Sequence, residues 1–192
     1  MLRRRAKAPA DPVGLQVDPS AVPEGHRPAV EDAVRARAQF RSLLTATAPG
    51  PMQDRLHELA PKVDAGVLAV WEAVQQTVRL EQVLITLDPE RVTEDLKRAK
   101  RDEQSGQGDA ATVEALTARF SSTQRLLNSH DELRQRIPIL EARLGTAVAR
   151  AAELTLTSSA SPAAGGLDVL GSELDELVTE LAALQAGAAA VG

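Results

Sequence analysis

Cysteine and tyrosine are absent from the 192-residue sequence, and the aromatic side chains amount to one tryptophan and two phenylalanines. The absence of cysteine excludes disulfides, thiolate metal sites and cysteine nucleophiles. Because aromatic residues make up only 2% of the chain, alanine, valine and leucine must fill its core. Such a core suits close packing between helices, whereas small-molecule pockets are usually lined with aromatic side chains.

Long apolar runs are also missing, because no segment approaches the roughly 20 residues that a membrane-spanning helix needs. The basic start, Met1 to Lys7, is followed by Pro9 and Pro12 in place of the apolar stretch of a secretory signal. The net charge is −5 with both signs well mixed, unlike the basic excess of nucleic-acid-binding proteins. We therefore expect a cytoplasmic protein without a nucleic-acid partner.

Motifs for catalysis or cofactor binding are lacking as well. The sequence contains no G-x-S-x-G, no S-x-x-K, no phosphate-binding G-x-x-x-x-G-K-[ST] and no dinucleotide-binding G-x-G-x-x-G. His26 lies in a proline-rich segment, and His57 and His130 would lie roughly 40 Å apart in a helical hairpin. We expect no catalytic, cofactor or metal residues and a non-enzymatic protein; an enzyme would require a bound metal.

The middle of the chain, from Pro51 to Thr157, predicts an antiparallel helical hairpin. Two arms of about fifty residues flank a glycine-containing turn from Ser105 to Asp109, as such a hairpin requires. The predicted fold class is all-α: a long, coiled-coil-like hairpin kinked at its prolines. Flanking helices are expected to thicken it into a three- or four-helix bundle over part of its length.

The first arm carries an apolar stripe with steps of three and four that repeat every eleven residues. Its members are Leu56, Leu59, Val63, Val67, Val70, Val74, Val78 and Ile85, with Glu81 as the one break. Pro61 is expected to kink the arm, since proline removes a backbone donor. Asp88, Pro89 and Glu90 have the form of a new helix start, so we expect a bend or short break near Leu87.

The second arm carries a heptad pattern. Its seam positions are Leu126, Leu133, Leu140, Ala147 and Leu154, alternating with His130, Ile137, Leu144 and Ala151. His130 on this seam favours the role of a polar residue that sets helix register. Ser129 and Glu132 have the form of a capping box, so we expect a split or bend near Asn128.

The predicted hairpin domain spans residues 28–157 and begins with a helix over residues 28–48. That helix is expected to pack on the hairpin with Arg35, Arg37 and Arg41 in solvent; lying on a membrane surface is the alternative. Residues 1–27 predict a disordered, proline-rich basic arm, residues 158–166 a flexible linker and residues 187–192 a disordered tail.

The last predicted helix, residues 167–186, has the most regular apolar stripe of the chain. Its leucines are the candidate partner-binding residues: Leu167, Leu170, Leu174, Leu177, Leu181 and Leu184. The other faces of this helix carry acidic residues and no lysine or arginine. An isolated helix of this length is marginal, so the stripe must be buried. It can fold back on the hairpin, self-associate or occupy a groove of another protein, and the acids favour a basic acceptor surface.

A basic cluster before the turn is a second candidate site. It consists of Lys97, Arg98, Lys100 and Arg101. The cluster could bind an acidic partner. Alternatively, its cations have their ordinary role at a helix C-terminus, where they complement the last carbonyls.

These features together predict a non-enzymatic scaffold protein that acts through helix–helix contacts with a partner or with a second copy of itself. The hairpin outline also resembles bacterial phage-shock and related membrane-remodelling proteins. That resemblance implies, as the alternative, a peripheral protein at a membrane surface, which flotation with anionic liposomes would test.

Overall fold

A computed structural model describes residues 15–157 and 164–189. These residues form helices and turns, with no strand among them, which confirms the all-α prediction. Two short 3₁₀ turns, Pro19–Ala21 and Glu24–His26, precede the first helix. The five α-helices are α1 (Arg27–Ala46), α2 (Pro51–Leu87), α3 (Pro89–Gln104), α4 (Ala110–Thr157) and α5 (Ala164–Ala189).

The chain before α1 is more ordered than its composition predicted. Asp18 accepts a hydrogen bond from the Ser20 backbone at 2.8 Å and begins the first 3₁₀ turn. Val22 is buried in the core, and Arg27 donates to its carbonyl at 3.1 Å. The prediction of a disordered arm was therefore wrong for residues 15–26. The basic residues at 3–7 lie outside the described residues.

The first arm of the hairpin consists of α2 and α3. The two helices are separated at Asp88, which adopts the left-handed conformation with φ 50° and ψ 77°. Its side chain accepts a hydrogen bond from the Arg91 backbone at 3.1 Å, so Asp88 caps α3. This confirms the predicted break near Leu87. The helix runs without interruption through Pro61.

The buried face of α2 departs from the predicted stripe after Val74. Ile85 is 80% exposed, whereas Thr77, Leu80 and Leu84 are buried. Beyond Val74 the buried positions lie three or four residues apart, and Ile85 lies outside this row.

The second arm is the single 48-residue helix α4. The predicted split near Asn128 was wrong, because Ser129 and Glu132 lie inside the helix and the apolar seam continues past them. The seam side chains Leu133, Ile137 and Leu140 are buried, as the heptad predicts. The helix also passes through Pro138 without interruption.

The helices form a thick body and a thin stalk. In the body, α1 and α5 each pack against both α2 and α4. The stalk consists of α3 and residues 110–128 of α4, which pack against each other. This confirms a hairpin that is a four-helix bundle over only part of its length.

One predicted surface feature of α1 was wrong. Arg37 was expected in solvent, but its side chain is only 7% exposed. Its Nε donates to Asp64 Oδ1 at 2.6 Å, and Arg41 Nη2 donates to Asp64 Oδ2 at 2.8 Å. Asp64 lies on α2, so the basic residues of α1 help to attach α1 to the hairpin. Arg35 pairs with Asp32 on its own helix.

Candidate functional site: the stalk and the cluster at its base

The stalk contains an apolar seam that is only partly covered. Near the body, Val92 and Leu96 of α3 are buried. On α4, the stalk side chains Val113, Leu116 and Phe120 are only half-buried. Each stalk helix can cover only one side of its neighbour, so the outer part of this seam is open to a further helix.

The turn at the end of the stalk is tight. Gly106 has φ 75°, and a side chain at Gly108 would approach the Glu103 backbone nitrogen to 2.5 Å. Gln107 and Gly108 both donate to the Asp102 carbonyl at 2.9 Å. These contacts require glycine, which explains why the turn falls here.

The four candidate cations of the basic cluster lie along the last turns of α3, and all are exposed. Arg98 lies 3.9 Å from Asp95, and Arg101 donates to the Lys97 carbonyl at 3.3 Å. Lys97 and Lys100 make no ion pair within the described part of the chain. The cluster is therefore accessible, and only Arg101 bonds a helix carbonyl.

A cluster of two histidines and a glutamate lies at the base of the stalk. His26 Nε2 is 3.0 Å from one carboxylate oxygen of Glu81, and His130 Nε2 is 3.3 Å from the other. His130 Nδ1 also lies 3.2 Å from Asp131. His26 precedes α1, Glu81 lies on α2 and His130 lies on α4, so one carboxylate connects three separate segments.

The environment of Glu81 determines its charge. Burial opposes its ionisation, but hydrogen bonds from His26 and His130, together with their charge, outweigh burial and lower the pKa of Glu81 below its ordinary value. Glu81 is thus held as a carboxylate at neutral pH. Its contribution to stability is lost only in acid, as the pH falls below the ordinary range of a glutamate.

A second titratable contact joins α1 to α4. Glu141 of α4 faces Asp32 of α1, with Arg35 nearby. Burial, a hydrogen bond with Asp32 and the charge of Asp32 raise the pKa of Glu141 to about 7, and Arg35 partly opposes this. Below about pH 7, Glu141 is therefore mostly protonated and can donate to Asp32.

The sequence contained signals for only part of these contacts. Glu81 interrupts an apolar stripe and His130 occupies a seam position, and the hairpin register places His130 opposite Leu84, one turn from Glu81. That pair could have been predicted. His26 could not, because it lies in a segment without periodicity, 55 residues from Glu81.

The candidate leucines of α5 lie against the hairpin. Leu167, Leu170, Leu174 and Leu177 are at most 2% exposed. The side chains of Leu181 and Leu184 lie outside the described part. Helix α5 packs against α2 and α4, so a partner could reach these leucines only if α5 left the body.

The acidic faces of α5 meet a basic surface within the same chain. Lys62 and Arg55 of α2 pair with Asp175 at 2.5 Å and Asp168 at 3.5 Å. Arginines of α4 pair with two further acids: Arg150 with Glu173 at 2.5 Å, and Arg143 and Arg136 with Glu180 at 2.6 and 3.4 Å. The pairs fix which faces of α5 point outward. The basic acceptor is thus on α2 and α4.

Comparison of the chain with protein-family models, with curated proteins and with solved structures found no match. The function must therefore be argued from the chain's own residues. Among the described residues, no group of three or more His, Asp or Glu side chains is arranged to hold a metal ion. None of the described helices has both the length and the hydropathy of a membrane-spanning segment.

Proposed function

We propose that the protein is a non-enzymatic scaffold that associates with a second copy of itself through the stalk. The observation that supports this most directly is the open outer seam, where Val113, Leu116 and Phe120 are half-buried. Stability of a helix in a protein comes largely from packing of its apolar face. A second stalk laid against the first would complete that packing as a four-helix bundle.

The charges of the stalk are compatible with self-association. Residues 89–128 contain seven lysines and arginines and seven aspartates and glutamates. Two stalks can therefore approach each other without net repulsion.

Light scattering coupled to size-exclusion chromatography tests this proposal on the full chain. We expect a molar mass near twice that of one chain at tens of micromolar, and a monomer for Phe120→Glu. The matched control is Ser121→Glu, which adds the same charge at the neighbouring exposed position and should leave the dimer intact. A monomeric wild type, or a Phe120→Glu variant that still dimerises, would contradict the proposal.

The second candidate is the peripheral membrane protein, supported by the exposed cations Lys97, Arg98, Lys100 and Arg101. Cations near an anionic surface contribute about 1 kcal/mol each, but Asp102 and Glu103 follow them directly. In a flotation assay, this candidate requires binding to vesicles with anionic lipid and loss of binding in a variant with all four cations changed to glutamine. Vesicle binding that survives this change would reject the cluster as the membrane contact.

A further inference from the structure

The surface of α2 and α4 that α5 covers, which we term the α5 groove, has an apolar floor. Leu59 of α2 and Leu144 of α4 are buried in this floor. A Cβ added at Gly66 of α2 would lie 3.2 Å from Leu144 and 3.7 Å from Leu177 of α5, so the missing side chain leaves room for both leucines. The floor therefore fits a helix that carries a leucine stripe.

Both rims of the α5 groove carry cations at intervals of seven residues. The cations are Arg55 and Lys62 on α2, and Arg136, Arg143 and Arg150 on α4. An interval of seven places side chains on the same side of a helix, two turns apart. The acids with which these cations pair have the same interval on α5: Asp168 and Asp175 on one flank of the leucine stripe, Glu173 and Glu180 on the other. The groove therefore matches a helix whose acids repeat every seven residues on both flanks of its leucines.

These ion pairs lie at the surface. The side chains of the five cations are between 34% and 55% exposed, unlike Arg37, which attaches α1 at 7% exposure. Exposed pairs contribute little net free energy, because water and salt screen them. Another helix with the same pattern can therefore take over each pair, and no buried charge is left behind during the exchange.

Helix α5 leaves part of the groove uncovered. A cleft of about 600 Å³ lies between α4 and α5, and Ile139 and Glu176 are among its lining residues. Ile139 is 50% exposed, and Glu176 makes none of the ion pairs described above for α5. A helix with a large apolar side chain in place of Glu176 would cover more of Ile139 and would bind the groove more tightly than α5 does.

We propose that the α5 groove is a docking site for an acidic, leucine-striped helix of a partner protein, and that α5 occupies the site until such a helix displaces it. Residues 158–163, whose composition predicts a flexible linker, join α5 to α4. A short tether gives α5 an effective concentration on the order of 1 mM at the groove, so α5 acts as an autoinhibitory segment. The site lies in the body and does not depend on self-association of the stalk.

Energy transfer within the full chain reports whether α5 is docked. Trp71 of α2 is the single tryptophan, and the chain contains no cysteine, so Thr179→Cys at an exposed position of α5 introduces one site for a dansyl acceptor. The probe is a synthetic peptide with the sequence of residues 164–189. We expect it to displace α5 and lower the energy transfer with a midpoint of about 1 mM, because it competes with an identical tethered helix.

Variants of the peptide test each part of the recognition. Glu176→Phe should lower the midpoint about tenfold, because the ring covers the apolar cleft. The double change Glu173→Gln and Glu180→Gln should raise it about threefold or more, since it removes the partners of the α4 arginines. The matched control, Thr179→Lys with Ala183→Lys, raises the net charge by the same amount at exposed positions and should leave the midpoint within about twofold.

Three results would overturn the docking site. Energy transfer that stays constant with every peptide, at concentrations well above the effective concentration of the tether, would show that the groove accepts no helix from outside. Equal midpoints for the glutamine and lysine peptides would show that the repeating acids are not recognised. A fall on addition of unlabelled full chain, whose own α5 is docked, would assign the groove to exchange of α5 between copies.

Discussion

At the scale of single residues, the polar side chains within apolar surfaces determine how the segments are joined. Asp64 accepts hydrogen bonds from two arginines of α1, and Glu81 contacts two histidines from different segments. The bulk of the core consists of aliphatic side chains, which pack with little directional preference. The ion pairs fix which face of each helix points inward.

The pair between Arg37 and Asp64 should be sensitive to substitution, because Arg37 is buried. Asp64→Ala should lower the free energy of unfolding by about 2–3 kcal/mol, since it removes two charge-assisted hydrogen bonds and leaves a buried guanidinium without this partner. Denaturant titration followed by the fluorescence of Trp71, the single tryptophan, measures the loss. Asp95→Ala is the control, because its pair with Arg98 is long, at 3.9 Å, and only partly buried, so that it contributes within about 0.5 kcal/mol.

Two glycines should respond in opposite ways to the same substitution. Gly145 lies inside α4 with open space where a side chain would extend, so Gly145→Ala should stabilise the protein by about 0.5–1 kcal/mol. Gly108→Ala should open the turn, because the added carbon would meet backbone atoms of Glu103. Thermal unfolding measures the first change, and exchange of the amides at 105–110 measures the second. A stabilising Gly108→Ala would contradict the geometry of the turn.

At the scale of helices, periodicity predicted most of what is buried. The leucine stripe of α5 from Leu167 to Leu177 and the heptad of α4 from Leu133 to Ala151 are buried where the pattern places them. The stripe of α2 failed at Ile85, which is 80% exposed, because the periodicity of one helix contains no information on its neighbours. The order of residues 15–26 was missed because isolated contacts such as Val22 leave no repeat in the sequence.

Leu174 should be essential for the docking of α5. Leu174→Asp places a charge at a position that is 1% exposed. We expect protection of the α5 amides to fall by about a hundredfold or more, equivalent to roughly 3 kcal/mol. Val169→Asp, at a position 59% exposed on the same helix, is the control and should leave α5 protected. Equal effects of the two variants would show that the leucine stripe does not hold α5.

At the scale of the whole molecule, α4 sets the length, because it runs through both body and stalk. The hairpin and its partial thickening were predictable from two arms of similar length and from flanking amphipathic segments. The stalk was not predictable as a distinct part, since the sequence does not indicate where α1 and α5 stop covering the hairpin.

Small-angle scattering should show an elongated particle. The 48 residues of α4 span roughly 72 Å at 1.5 Å per residue, so the maximum dimension of one chain should be at least about 70 Å. Under conditions where light scattering gives a single chain, a maximum dimension near 50 Å would contradict the extended stalk.

The break at Asp88 has a mechanical consequence. At this level, one arm of the hairpin is interrupted while α4 continues past it. The hairpin should bend most easily at the break between α2 and α3. The continuous helix α4 should resist this bending and restore the straight form. A force applied at the tip of the stalk would therefore bend the stalk mainly in one plane. Helix α4 would restore the position of the stalk and transmit the force to the body.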